Sequence, residues 1–418
     1  MRIIQSSDRK GLARILDRDE ARDETVERDA ARIVTDVRRR GDKALIEWTN
    51  RLERRTVGRR AAMRRVTRLS PADLRRGWKA TPKPVRDALA LAVRHLEAVA
   101  TRQVPQPFTV KVAGGHRIEQ RVQPLSRVGC YVPGGRYPLP STLLMTAVPA
   151  RVAGVRDIVA VCPSPAPVVL AAAIEAGVSE VYTIGGAQAI GALAYGTETI
   201  APVSKIVGPG NAWVAAAKAF VSRDCPIDLH AGPSEIVVCS DRGNPAWIAA
   251  DLIAQAEHDP AARAVLVTTK ARLAEAVSRE VVRQMPETGP ASLAIARNGG
   301  IVVARGRREA VDLVNRLAPE HLVIDSGDDP DRYTAAGTIF VGDYSVQAAG
   351  DYCTGSNHVL PTGGAARFRG GLGAADFVRV YTVQTLTAAG LTRIGPSVVA
   401  LAEAEGLTAH ANSVRARL

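Results

Sequence analysis

Apolar and polar positions divide the chain into a helical front and a longer stretch of alternating strands and helices. Up to about residue 100 the apolar residues recur at helical spacing. Residues 23–48 read as two helical stretches broken at Gly41-Asp42. Ser70-Pro71 reads as the N-cap and first turn of another helix. Residues 81–101 then carry Val85, Leu89, Leu91, Val93, Leu96 and Val99. Two short strands flank the Gly114-Gly115 turn.

From Val128 the rhythm changes. Strands are expected at 157–162, 180–184 and 205–207, with helices near 168–176, 187–195 and 212–221. A second set begins at Ile236, with a helix over 245–258, a strand at 264–268 and a helix over 271–283. Further strands fall near 301–303, 321–324 and 338–341. Such alternation predicts parallel sheets with crossover helices. The fold class is therefore α/β: two open Rossmann-like units, which could share a topology, behind a helical N-terminal region. After Asp376 the chain reads as a tail of one or two helices. No repeat of fixed period is visible.

Composition narrows the class. The chain has 418 residues, enough for two to three domains, and is 46% hydrophobic, as a folded protein should be. No apolar run approaches a membrane span, and Met1-Arg2-Ile3-Ile4-Gln5 soon becomes charged, unlike a signal peptide. The five cysteines (Cys130, Cys162, Cys225, Cys239, Cys353) are scattered without a C-x-x-C, which suits a reducing cytoplasm better than a disulfide or zinc-ribbon framework. Net charge is +13, with eight arginines between Arg51 and Arg68 inclusive. No aromatic residue lies among them and no nucleic-acid motif follows, so they read as a solvated surface and nucleic acid as an unlikely partner.

Candidate chemistry concentrates in short polar strings. In Gly350-Asp351-Tyr352-Cys353-Thr354-Gly355-Ser356-Asn357-His358-Val359-Leu360-Pro361-Thr362 a carboxylate and an imidazole stand seven residues apart. The string has neither helical nor strand periodicity and reads as an ordered loop. In Gln255-Ala256-Glu257-His258 the first and last residues share a helix face, although a histidine there also suits the helix dipole. Ala318-Pro319-Glu320-His321-Leu322 places a carboxylate beside an imidazole, able to divide proton transfers or merely to open a strand. Glu405-Gly406-Leu407-Thr408-Ala409-His410 lies in the tail. Gln255, His258, Asp351 and His410 would form a mixed N/O site suited to Zn²⁺, with Mn²⁺ as the alternative; spacing alone does not bring them together. The turns Tyr131-Val132-Pro133-Gly134-Gly135, Gly185-Gly186-Ala187-Gln188 and Gly208-Pro209-Gly210-Asn211 follow strands, as phosphate-approaching turns do. Trp213 stands where the third glycine of a G-x-G-x-x-G would fall, so plain tight turns explain them equally well.

Together with Ala231-Gly232-Pro233-Ser234-Glu235, these motifs resemble, in order and over nearly the whole chain, the L-histidinol dehydrogenase family. The resemblance implies a zinc-dependent NAD oxidoreductase that takes L-histidinol through L-histidinal to L-histidine with two NAD⁺. It implies Gln255, His258, Asp351 and His410 as metal ligands and Glu320 and His321 as the acid/base pair. Ser234, His321, His358, Glu405 and the metal ligands would contact substrate, and Tyr131, Gln188 and Asn211 would contact NAD. The family is a homodimer whose tail reaches the partner's site, so Glu405 and His410 would act in trans. His230 and the proline-heavy loop at 136–140 are departures that remove no ligand.

The expected division is an arm at 1–24, a large α/β domain of 25–128 and 235–375 with the metal and acid/base residues, an NAD-binding domain at 129–234, and an exchanged tail at 376–418. Two rivals stand beside this reading. One is a family paralogue oxidising another small hydroxy compound, such as a dihydroxy sulfonate. The other is a non-catalytic arginine-rich nucleic-acid-binding protein.

Overall fold

The computed structural model describes residues 1–16, 23–57, 66–112, 115–134, 137–230 and 232–418. Its strands are β1 (Ile3–Gln5), β2 (Phe108–Val112), β3 (His116–Pro124), β4 (Arg127–Tyr131), β5 (Asp157–Val161), β6 (Glu180–Tyr182), β7 (Lys205–Val207), β8 (Glu235–Cys239), β9 (Arg263–Thr268), β10 (Gly300–Val303), β11 (His321–Ile324), β12 (Thr338–Val341) and β13 (Val378–Leu386). They form a four-stranded parallel sheet in the order β6-β5-β4-β7 and a six-stranded parallel sheet in the order β1-β10-β9-β8-β11-β12. Antiparallel β13-β3-β2 makes a third sheet.

The two parallel sheets share one connectivity. In each, three successive strands step one way and the fourth returns beside the first, so the direction reverses between β4 and β7 and between β8 and β11. The shared topology open to the sequence is thus present, and the α/β class holds.

Local chemistry explains the element ends. Asp23 caps the helix Glu24–Arg40, and Gly41 ends it at φ +55°, a conformation a β-carbon disfavours. Ser70 and Asp73 form a reciprocal capping box on the helix Pro71–Ala80. Asn244 caps the helix Pro245–Ala256, which stops before His258 rather than at it.

The front helices pack on the four-stranded sheet. Ala30, Ile33, Val34 and Val37 of Glu24–Arg40 enter one core with Val159, Ile190, Ile206 and Val214. Leu89, Val93 and Leu96 of the helix Lys83–Gln103 enter another with Leu144, Val148 and Ile158. The helices Glu24–Arg40 and Lys83–Gln103 therefore supply layers to the four-stranded sheet, because their apolar stripes fit its two faces. The first residues, expected as an arm, instead add β1 to the edge of the large sheet, with Ile3 beside Ile301. Val359, Leu372 and Phe377 also leave the large unit for the small unit's core.

The tail differs as well. It opens with β13, a nine-residue strand along β3, before the helices Ala388–Ala404 and Thr408–Arg415. Of the arginine-rich stretch, residues 58–65 lie outside the described residues; Arg51 stacks on Trp48 and Arg68 pairs with Glu180 at 3.1 Å. Among the described residues no helix is long and apolar enough to cross a membrane.

Candidate active site

The large sheet gathers its polar residues at the strand starts on either side of its reversal. β8 and β11 are neighbours, with His321 opposite Ile236, so Ser234 and Glu235 lie beside Glu320 and His321. Glu320 Oε2 accepts from Ser234 Oγ at 2.6 Å and from the Glu235 N–H at 2.8 Å. Burial pushes the Glu320 carboxyl up to about 8, against those two hydrogen bonds. At neutral pH it is mostly a neutral acid.

His321 is also buried, and burial lowers its pKa. Its Nδ1 lies 3.2 Å from the Glu235 carbonyl, which can only accept, so Nδ1 carries the proton. Nε2 is left with its lone pair, facing Asp351 Oδ1 at 3.9 Å. A neutral imidazole with a free Nε2 is a proton acceptor by construction.

Asp351 joins the other elements. It follows the short helix Gln347–Gly350 and lies 3.8 Å from His258 Nε2. Buried Gln347 donates Nε2 to Asp351 Oδ2 at 3.0 Å, so one carboxylate oxygen is oriented from outside the cluster. His358 Nδ1 donates to the Asp351 carbonyl at 3.0 Å, leaving Nε2 as an acceptor; burial lowers this imidazole too.

Gln255 tests whether a cation fits. Its side chain is fully buried and donates Nε2 to Ser234 Oγ at 2.5 Å, which orients the carboxamide. Oε1 is then buried with no hydrogen-bond partner. An acceptor left this way costs about 1–3 kcal/mol, and a cation would satisfy it. Gln255, His258 and Asp351 give a mixed oxygen and nitrogen set that suits a borderline divalent ion. Among the described residues no three His, Cys, Asp or Glu side chains are grouped closely enough to hold a metal. His410, on the helix Thr408–Arg415, and Glu405, the C-cap of the helix Ala388–Ala404, are exposed in the single chain.

The other expected residues lie at the C-terminal edge of the small sheet. Tyr131 ends β4, and its buried hydroxyl, pushed up to about 12 by burial, accepts from the Gly186 N–H at 3.0 Å. Buried Gln188 has an Oε1 with no hydrogen-bond partner. Gly208 follows β7 at φ +112°, where a β-carbon would collide with the Tyr131 backbone. Its N–H donates to Asp228 at 2.6 Å and its carbonyl accepts from Lys218 at 2.8 Å, inside a buried Lys218–Asp228 ion pair. Asn211 caps the helix Ala212–Val221 through Val214 N–H at 3.2 Å.

Three supporting residues are not singled out by the sequence: Glu235, Gln347 and Lys218. Gln347 carries a faint signal, standing four positions before Asp351 where a helical turn brings side chains together. Exposed His230 takes no described part in the cluster.

Known proteins resemble this chain along its whole length. A family profile described as histidinol dehydrogenase matches residues 16–418. Histidinol dehydrogenase of Gluconobacter oxydans is 47% identical over 399 residues, covering 92% of this chain and 91% of the relative. That of Dechloromonas aromatica is 42% identical over 410 residues, covering 95% and 94%. The crystal structure of histidinol dehydrogenase from Elizabethkingia anophelis superposes with a TM-score of 0.93 at 31% identity, covering 100% of this chain and 98% of that one. With whole-length agreement in sequence and fold, the chain belongs to the histidinol dehydrogenase family.

Proposed function

We propose that the protein oxidises L-histidinol through L-histidinal to L-histidine, using two NAD⁺ in succession, as a cytoplasmic homodimer. The observation that carries this reading is a buried His321 whose Nδ1 faces the Glu235 carbonyl and whose Nε2 lies 3.9 Å from Asp351, itself 3.8 Å from His258. His321 Nε2 takes the carbinol hydroxyl proton as hydride leaves the adjacent carbon. Bound NAD⁺ supplies the hydride acceptor, with Tyr131, Gln188 and Asn211 as its contacts.

Glu320 serves the second step. As the carboxylate it takes a proton from the water that adds to the aldehyde, and the hydrate then loses hydride to the second NAD⁺. Ser234 and the Glu235 N–H orient the carboxyl throughout.

Gln255, His258 and Asp351, with His410 of the partner subunit, would hold one Zn²⁺ or Mn²⁺. That ion would fix the substrate's imidazole and amine and so position the reacting carbon. Support for a tail in trans comes from the unpartnered Gln255 Oε1 and from the exposure of His410 in the single chain. Ser234, His321, His358 and Glu405 complete the substrate contacts.

A steady-state assay of metal-loaded protein with L-histidinol, small diols and dihydroxy sulfonates tests the reading. NADH from L-histidinol well above the panel is expected; preference for another alcohol overturns the substrate. Mixing His258→Ala and His410→Ala subunits tests the trans arrangement. Random exchange should restore about a quarter of wild-type activity, since only mixed dimers contain an intact site. No restoration contradicts a shared site.

A further inference from the structure

We infer that Asn357 is a positioning residue whose carboxamide registers the Asp351–His358 loop against the helix Pro140–Val152 of the small unit. The inference rests on the proposed reading of that loop as part of the substrate site. That helix contains Pro149. Proline has no N–H, so the Met145 carbonyl, four residues earlier, lacks its helical donor. Asn357 Nδ2 donates to that carbonyl at 2.7 Å. The other end of the same carboxamide, Oδ1, accepts from the Val359 N–H at 2.8 Å. His358 sits between these two anchored residues, and its Nδ1 ties the loop back to Asp351.

A second contact supports the same docking. His95 Nδ1 donates to the Cys353 carbonyl at 2.6 Å. Gly355, at φ +96°, lies so near the His95 carbonyl that a β-carbon would approach within 2.8 Å of it. The loop therefore belongs chemically to the large unit's cluster and mechanically to the small unit. Asn357 uses both ends of one rigid group for this. A carboxylate would keep the acceptor and lose the donor, and alanine would lose both. Movement of the loop would shift substrate relative to the cofactor side, where misplacement by about 1 Å can cost on the order of 100-fold in rate.

Four variants separate positioning from simple satisfaction of a carbonyl: N357A, N357D, P149A and P149A/N357A. Turnover of L-histidinol by N357A and N357D should fall about 10- to 100-fold, while calorimetric binding of L-histidinol without NAD⁺ stays within about 3-fold. Hydrogen–deuterium exchange over 351–362 should quicken in both. The Pro149→Ala change restores an N–H to the Met145 carbonyl, so P149A/N357A should regain the thermal stability lost by N357A while the loop stays fast and turnover low. Return of both turnover and loop protection in the double variant overturns the inference, as does unchanged loop exchange in N357A. Absence of NADH from wild type would sink the proposed function instead, and the exchange comparison would still decide the role of Asn357.

Discussion

The small and large parallel sheets reverse direction at the same point in the same strand order, yet their candidate site residues stand at opposite ends of the strands. At the small sheet, Tyr131 and Gly208 stand at the C-terminal ends of the two strands flanking the reversal, the usual place for a nucleotide in this topology. At the large sheet that end is closed by its own side chains. Asp325 accepts from Ser240 Oγ and the Asp241 N–H, and Asp241 accepts from Thr268 and Thr269. The large sheet's candidate site residues stand instead at its strand starts, where Ser234 and Glu235 meet Glu320 and His321. Connectivity alone therefore does not decide which edge of a sheet carries candidate chemistry; buried acceptors without a hydrogen-bond partner occur at both, Gln188 Oε1 by the small sheet and Gln255 Oε1 by the large one.

The largest expected effect breaks the large sheet's edge. His321→Ala should slow the first oxidation about 100- to 10,000-fold, and Glu320→Gln should slow oxidation of added L-histidinal by a similar factor. Rapid-mixing kinetics on the two substrates would check this; equal losses on both steps would refute the division of labour. Removal of metal by a chelator should abolish turnover, with recovery on adding Zn²⁺ or Mn²⁺. Gln347→Ala should weaken metal affinity about 10- to 100-fold, because it releases an oxygen of Asp351.

Legibility of the site in the sequence is uneven, and the reasons are physical. Turn glycines, caps and the 255–258, 318–322 and 350–362 strings are local, so residue order exposes them. That Gln255 donates to Ser234, or that Asp351 meets both His258 and His321, depends on strand neighbours and lies beyond any spacing rule. The sheet on which the front helices pack is not legible, because an amphipathic stripe shows which face is buried and not what buries it. β13 falls in a stretch that reads as helical tail; its Val, Tyr and Thr content is a strand signal, but its exposed faces show no clean alternation.

A smaller effect sharpens the contrast between the two edges. Gly208→Ala should raise the KM for NAD⁺ about 10-fold or more, since the added carbon displaces the Tyr131 backbone. Ser240→Ala, at the closed edge of the large sheet, should keep kcat and KM within about 2-fold while lowering stability by about 1 kcal/mol. Parallel kinetics and denaturation on the two variants would show whether the edges differ as described.

The smallest effect concerns pH. Glu320 has a folded pKa of about 8 against an ordinary 4.5, so the folded state holds more protons than the unfolded state between those values. Its stabilising contribution is complete below 4.5 and is lost as pH rises through about 8. Metal-free wild type should therefore lose stability relative to Glu320→Gln over this window. Aldehyde oxidation, which needs the carboxylate, should rise across the same range. A pH-independent stability difference between the two proteins would contradict this.

The NADH yield per L-histidinol consumed, for wild type and Glu320→Gln side by side, tests the central claim most directly. Two NADH per L-histidinol are expected from wild type, and about one from Glu320→Gln, with L-histidinal accumulating. No NADH from wild type, or two at the wild-type rate from the variant, would contradict a stepwise oxidation divided between His321 and Glu320.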